Sequence, residues 1–101
     1  MPIVIKSNNG VTICNLAGEI NINSSPKIKK VLTKLIAKKT TKITIDLSRV
    51  TYIDSSGLAM LIEMLKNTKL SGGSLELSSL TPRIKNIFEI KKLDRLFDII
   101  S

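Results

Sequence analysis

The middle of the sequence reads Ile43-Thr44-Ile45-Asp46-Leu47 and then, after four residues, Tyr52-Ile53-Asp54-Ser55-Ser56-Gly57-Leu58. In the first segment apolar and polar residues alternate, which is typical of a β-strand. From Leu58 onward, apolar residues follow the spacing of an amphipathic helix until Ser71-Gly72-Gly73 interrupts the pattern. The two segments therefore predict a strand, a turn and a helix, in that order.

The chain before this unit predicts a β-hairpin and a first helix. Two β-rich runs, 3–6 and 11–17, flank Ser7-Asn8-Asn9-Gly10, and Asn-Gly between such runs is a strong hairpin signal. Apolar residues recur at helical spacing over 28–36, and lysines occupy the remaining face. Ser25 is predicted to be the N-cap of this helix and Pro26 its first residue.

The chain after this strand–turn–helix unit predicts one more strand and one more helix. The type of the last element is not decided by the sequence. Leu75 and Leu77 alternate with polar neighbours, and Thr81-Pro82 is typical of a helix start. The apolar run 96–100 allows a short strand or a packed tail. Because strands alternate with helices, we expect βαβ crossovers and a single α/β domain over 1–101, with helices packed on a mixed β-sheet.

The composition excludes several kinds of chemistry. The 101 residues include no histidine and one cysteine, Cys14, which excludes Ser-His-Asp and Cys-His catalysis, His-bearing zinc sites and an internal disulfide. Cys14 lies in an apolar run and is expected to be buried, as are Met60 and Met64. A reducing, cytoplasmic setting fits this composition best.

The net charge of +8 is the compositional feature that indicates a negatively charged binding partner. Seven lysines and no acidic residue lie between Ile20 and Ile45, but no aromatic or Arg-rich surface accompanies them, so a solvated helix face is the simpler interpretation. The N-terminus has no basic leader, and no run approaches the roughly 18 apolar residues of a spanning helix. We therefore expect an unprocessed protein that binds neither nucleic acid nor a membrane.

The turn at 54–57 admits two interpretations from its residues alone. Asp54 or Ser55 can be a simple N-cap, with Gly57 present for backbone clearance. A serine hydroxyl there can also carry a phosphate, which the unpaired N–H groups and partial positive charge of a helix N-terminus tolerate. A hydrolase elbow or a P-loop would need glycines and partners that the sequence lacks. The turn is thus a cap, a phosphoacceptor or both.

Four segments, taken in order, resemble the STAS domain of bacterial anti-sigma factor antagonists. They are Leu16-Ala17-Gly18-Glu19-Ile20, Asp54-Ser55-Ser56-Gly57-Leu58, Gly72-Gly73, and the helix start at 82–88. The resemblance covers almost the whole chain and implies a STAS-like fold. Two positions depart from the family pattern, since Asn21 stands where Asp is frequent and Ala59 where Gly is frequent.

The resemblance implies a switch protein rather than an enzyme, with no cofactor and no metal. In the family the unphosphorylated antagonist binds an anti-sigma factor that is also a serine kinase, and thereby frees a sigma factor. Phosphorylation of the first serine after the Asp, here Ser55, ends the binding, and a PP2C-like phosphatase resets the cycle. Asp54, Ser56 and Gly57 then shape the turn that the kinase contacts, and Glu19 and Asn21 lie on the same contact surface. A monomer is expected.

Two other functional classes stay open at this point. STAS-like domains also occur as subunits of lipid-transport or signalling assemblies that do not use serine phosphorylation. A basic nucleic-acid-binding domain is the third alternative, and it rests on the lysines alone.

Overall fold

The computed structural model describes residues 3–100, so Met1, Pro2 and Ser101 of the predicted domain lie outside the described residues. The elements, in order, are β1 (Ile3–Asn8), β2 (Val11–Ile20), α1 (Ser25–Ala37), β3 (Lys42–Ile53), α2 (Ser55–Leu70), β4 (Ser74–Ser78), α3 (Pro82–Ile90) and β5 (Asp98–Ile100). The predicted order is confirmed, and the run 96–100 proves to contain a strand.

The predicted hairpin forms because its two turn residues adopt the backbone that a tight turn needs. β1 and β2 pair antiparallel up to Asn8 opposite Val11, which leaves Asn9 and Gly10 as the connection. Both have positive φ, 51° and 81°, as a type I′ turn requires, and Asn and Gly are the residues that tolerate it best.

The five strands lie in sequence order, β1-β2-β3-β4-β5, in a single sheet within the described residues. β2, β3, β4 and β5 pair in parallel, so each connection between them is a crossover that contains a helix. The sheet is therefore mixed, with one antiparallel pair at its β1 edge. This confirms the predicted α/β fold with helices packed on a mixed sheet.

The core is aliphatic and lies between the sheet and the helices. Cys14, Ile45 and Leu77 stand opposite one another on neighbouring strands and are all buried. Ile28 and Leu32 of α1 lie against this row and belong to the same buried cluster. The cluster also takes in the following residues, as predicted for the two methionines: Met60, Leu61, Met64 and Leu65 of α2, and Ile84 and Phe88 of α3.

The predicted N-cap of α1 is wrong by one residue. Ser24 is the N-cap, Ser25 is the first helical residue and Pro26 the second. The Ser24 hydroxyl makes no bond to an α1 backbone N–H, because it accepts from the Asn21 N–H at 2.9 Å and donates to the Glu19 carbonyl at 2.8 Å. The Ser24 side chain therefore stabilises the loop before α1 and does not cap the helix.

None of the helices within residues 3–100 has the length and apolar character needed to cross a membrane.

Candidate functional site

The turn between β3 and α2, residues 54–57, is organised by Asp54. Its backbone is extended (φ −91°, ψ −179°), and its Oδ1 accepts a hydrogen bond from the Gly57 N–H at 2.8 Å. The Asp54 carbonyl accepts the first helical bond, from the Leu58 N–H, at 3.0 Å. Asp54, and not Ser55, is therefore the N-cap of α2, and its negative charge lies at the end of the helix where the dipole favours it.

Asp54 also ties the turn to the loop between β2 and α1. Its Oδ2 accepts from the Ile22 N–H at 3.3 Å, and its own N–H donates to the Ile20 carbonyl at 3.0 Å. One carboxylate thus joins two segments that are 32 residues apart in sequence. This brings the loop at 21–24 and the turn at 54–57 onto one surface.

Ser55 and Ser56 differ in their accessibility. Ser55 is the first residue of α2 and is exposed, whereas Ser56 is half-buried. The hydrogen bonds that hold the turn are made by the Asp54 carboxylate and by backbone groups, and none of them uses the Ser55 hydroxyl. The Ser55 side chain can therefore be modified without loss of a bond that supports the fold.

Gly57 is required by a close approach of two backbones. A Cβ at this position would lie 2.7 Å from the Ile20 carbonyl oxygen, 2.8 Å from the Ile20 Cγ2 and 2.9 Å from the Ile53 Cγ2. The carbonyl cannot move away easily, because it accepts the Asp54 N–H. The predicted role of Gly57 in backbone clearance agrees with this geometry.

Glu19 and Asn21 lie beside the turn, but their side chains are used differently. Glu19 stands opposite Tyr52 in the parallel pairing of β2 and β3, and it is exposed. The Asn21 Oδ1 accepts from the Asn23 N–H at 2.9 Å and from the Ser24 N–H at 3.1 Å. The structure thus gathers all six predicted site residues at one end of the sheet, and it gives Asn21 a loop-forming role that the sequence analysis did not foresee.

Two shallow grooves flank the turn. One, of about 380 Å³, lies between α1 and α2 and is lined by Ile22, Ser25, Lys29, Ser56, Met60 and Glu63. The other, of about 220 Å³, lies between the turn and α3 and is lined by Tyr52, Ser55, Leu58, Ile87, Ile90 and Lys91. Each serine of the turn faces a different groove.

Exposed apolar side chains at these grooves are the feature that sequence reasoning missed. Ile22 and Ile90 are each 69% exposed, and Tyr52 is 42% exposed with the Arg83 guanidinium 6.0 Å from its ring centre. The available signals were an isoleucine between two asparagines in a loop, and an isoleucine off the buried face of a helix. Apolar groups around a presented hydroxyl suit a contact with another protein.

Besides Asp54 and Glu19, charged side chains lie along the two grooves. Lys29 forms an ion pair with Glu63 across the α1–α2 groove at 2.8 Å, and Lys91 lies at the α3 groove. Within residues 3–100, no group of three or more His, Cys, Asp and Glu side chains could hold a metal ion. The arrangement therefore presents the Ser55 hydroxyl beside a carboxylate that is already engaged as the helix cap.

A mixed sheet that begins with an N-terminal hairpin and has a helix in each parallel crossover is the arrangement expected of the STAS class of domain. The chain belongs to the STAS domain family, whose sequence profile matches residues 2–101. It is similar to the Bacillus subtilis anti-sigma-B factor antagonist, with 36% identity over 94% of this chain and 86% of that protein.

Solved structures agree with this assignment. A crystal structure of a Thermotoga maritima protein has 30% identity and a TM-score of 0.91, and covers 98% of this chain and 86% of that one. The Bacillus cell fate determinant SpoIIAA in its phosphorylated form has 17% identity and a TM-score of 0.75, with coverage of 99% and 92%. At that identity the likeness to SpoIIAA concerns the fold alone.

Proposed function

We propose that this protein is an anti-sigma factor antagonist whose binding is switched off by phosphorylation of Ser55. The observation that carries the proposal is the exposed Ser55 hydroxyl at the first position of α2, beside a carboxylate that is already used as the helix cap. The similarity to the Bacillus subtilis anti-sigma-B factor antagonist supports an anti-sigma factor as the partner. The antagonist is a regulatory domain over 1–101 that acts as a monomer and is not an enzyme.

The unphosphorylated turn binds the partner through neutral and apolar groups. Ser55 and Tyr52 face the α3 groove, and Ser56 and Ile22 face the α1–α2 groove. Asp54 and Gly57 set the shape of the turn, while Glu19 and Asn21 extend the contact surface on the β2 side. The partner is an anti-sigma factor that is itself a serine kinase, so the hydroxyl that it contacts is also its substrate.

Phosphorylation changes the interface more than the fold. A phosphate adds roughly 1.5 to 2 negative charges at the N-terminus of α2, where the helix dipole stabilises them. In the complex the same charge must lose its water, and its repulsion by the adjacent Asp54 carboxylate, which water screens in the free protein, becomes stronger. A shift from almost fully bound to almost fully free requires about 5.5 kcal/mol. Desolvation of the dianion and repulsion by Asp54 must supply it against the attraction of Lys91, which lines the same groove as Ser55. A PP2C-like phosphatase removes the phosphate and restores binding.

The proposal is tested with two substitutions of Ser55 and the anti-sigma factor kinase of the same organism. Ser55→Ala is expected to bind the kinase with an affinity within about threefold of wild type, since little hydrogen bonding is lost. Ser55→Asp is expected to bind at least about tenfold more weakly because of its charge. Titration calorimetry measures both, and mass spectrometry after incubation with ATP locates the phosphate.

Ser56→Ala is the matched control, because Ser56 occupies the same turn but is half-buried. It should be phosphorylated on Ser55 like the wild-type protein, whereas Ser55→Ala should remain unmodified. Phosphate on Ser56 in the wild-type protein, or tight binding by Ser55→Asp, would contradict the assignment of Ser55 as the switch.

A further inference from the structure

The excess positive charge of this chain is concentrated in its first 45 residues. That part contains eight lysines and one acidic residue, Glu19, whereas residues 46–101 contain eight basic and seven acidic residues. In the fold this part comprises β1, β2 and α1 and ends within the first residues of β3. The protein is therefore electrically polarised, with α1 at its positive side.

Four of these lysines, Lys27, Lys30, Lys34 and Lys38, form a stripe along α1. At 100° per residue they lie within about a quarter of the helix circumference and extend over about 16 Å. All four are exposed, and the two ion pairs found among residues 3–100 use Lys29 and Lys42 instead. We call these four side chains the lysine stripe.

The lysine stripe begins next to the proposed phosphorylation turn. α1 follows the loop at 21–24, which Asp54 holds through the Ile22 N–H. The α1–α2 groove lies on another side of α1, because Ser25 and Lys29, which line it, are about 140–180° around the helix from the centre of the lysine stripe. The Lys27 end of the stripe is therefore the part nearest to the turn, and the stripe can act on a protein seated there only through its long-range field.

The chemistry of the stripe selects a protein surface over a lipid or a nucleic acid. Of the large apolar side chains exposed in residues 3–100, none lies on α1, so a bilayer would find charge there but no group to insert. The stripe has neither arginine nor aromatic residues, which are the side chains that read or stack on nucleic acid. Flexible lysines that point into water fit long-range attraction to carboxylates.

From this placement we propose that the lysine stripe steers an acidic face of the protein that binds the Ser55 turn. This inference rests on the proposed function, and it adds a charge requirement to the partner. It also strengthens the switch, since an acidic partner face repels the phosphate that is placed on Ser55. The stripe thereby raises the association rate while Ser55 is unmodified. Once Ser55 carries a phosphate, the turn repels the acidic face of the same partner.

The test compares two variants with the same net charge. In the first, Lys27, Lys30, Lys34 and Lys38 are all changed to Gln; in the second, Lys66, Lys69, Lys85 and Arg95, which are also exposed, are changed to Gln. Association and dissociation rates with the purified anti-sigma factor kinase of the same organism are measured by stopped flow at 50 and 500 mM NaCl. Circular dichroism and melting temperature confirm that both variants fold.

We expect the stripe variant to associate about tenfold more slowly at 50 mM NaCl, with a dissociation rate within about twofold of wild type. The difference should shrink at 500 mM NaCl, where the screening length is only about 4 Å. The second variant should associate within about threefold of wild type, because its charges lie elsewhere on the surface.

Equal slowing of the two variants would overturn the proposal, since net charge alone would then explain it. The proposal is equally overturned if the stripe variant keeps the wild-type rate with the kinase but loses binding to phosphatidylglycerol vesicles or to a 30-base-pair DNA duplex. A wild-type protein that does not bind the kinase at all contradicts both proposals. If the stripe variant associates slowly as expected but Ser55→Asp binds as tightly as wild type, only the proposed phosphorylation switch is contradicted.

Discussion

Asp54 and Gly57 act together at the start of α2. The Oδ1 of Asp54 accepts the Gly57 N–H, and the missing side chain of Gly57 lets the first helical turn close against Ile20. Because the Asp54 N–H donates to the same Ile20 carbonyl, the position of this turn is fixed relative to β2 from two sides. The exposed Ser55 therefore stands on a rigid base, which favours recognition by an enzyme that must place a phosphate on one hydroxyl.

Gly57→Ala is expected to destabilise the protein by about 1–3 kcal/mol, because the new methyl group would overlap the Ile20 carbonyl. The direction of this change in stability is informative, since a Gly to Ala substitution inside a helix ordinarily stabilises a protein by up to about 1 kcal/mol. Urea denaturation measures the change, and Ser56→Ala serves as the control in the same helical turn. Equal or higher stability of Gly57→Ala would show that Ile20 and the helix can separate without cost.

At single residues, the sequence predicted the capping turn but not the exposed apolar groups around it. Asp-Ser-Ser-Gly carries a local signal, because a carboxylate and a glycine at this spacing fit the geometry of a helix start. The exposure of Ile22 and Ile90 depends on how the loop and α3 pack against distant segments, and no local pattern contains that information. Contact surfaces built from several segments are visible only in the folded chain.

The loop at 21–24 is the element that joins α1 to the turn at 54–57. Asn21 holds it through two backbone N–H groups, and the Ser24 hydroxyl closes it by joining the Asn21 N–H to the Glu19 carbonyl. These bonds explain why the N-cap of α1 is Ser24 and not the predicted Ser25. Two adjacent serines give the same capping signal, and only the bonds of the loop distinguish them.

Asn21→Ala should lower the free energy of unfolding by about 1–2 kcal/mol, since two backbone N–H groups lose their acceptor. Asn21→Asp should keep the wild-type stability within about 0.5 kcal/mol, because a carboxylate offers the same acceptor oxygen. Thermal and urea unfolding of the two variants test this pair. An Asp variant that is as unstable as the Ala variant would mean that the side-chain amide, and not its oxygen, holds the loop.

The last strand shows the limit of element prediction from the sequence. β5 has three residues, and it forms only because β4 offers a free parallel edge for pairing, with Leu77 opposite Ile99. Its neighbour Phe97 contributes by packing edge-on against Phe88, with ring centres 5.7 Å apart. A tail and a strand of this length have the same local sequence pattern. The strands with clear alternation and the helices with clear periodicity were predicted because they carry their own signals.

At the scale of the whole molecule, Cys14 is buried in the row that it forms with Ile45 and Leu77 across the sheet. Its thiol becomes accessible to water when the sheet unfolds. Cys14 is 1% exposed between β1 and β3, and burial raises the pKa of its thiol from the ordinary 9.0 to about 11. The cause is desolvation, which disfavours the thiolate in the folded state only. The one thiol of this chain therefore links the stability of the entire sheet to pH.

The direction of that link follows from the proton balance. Below pH 9 the thiol is protonated in both states, and the folded state keeps its full stability with respect to this group. Between pH 9 and about 11 the unfolded chain releases the proton while the folded chain retains it, so stability falls as the pH rises. A variant without the thiol isolates this contribution.

Cys14→Ala provides that comparison. We expect it to be less stable than wild type at pH 7.5 by about 1 kcal/mol, because a buried sulfur is removed. The gap between the two proteins should close or reverse as the pH is raised to 10.5, since only the wild-type protein has a thiol that ionises on unfolding. Urea denaturation under reducing conditions at both pH values measures the gap. A gap that stays constant would mean that water reaches Cys14 in the folded protein and that the sheet is open at its β1 edge.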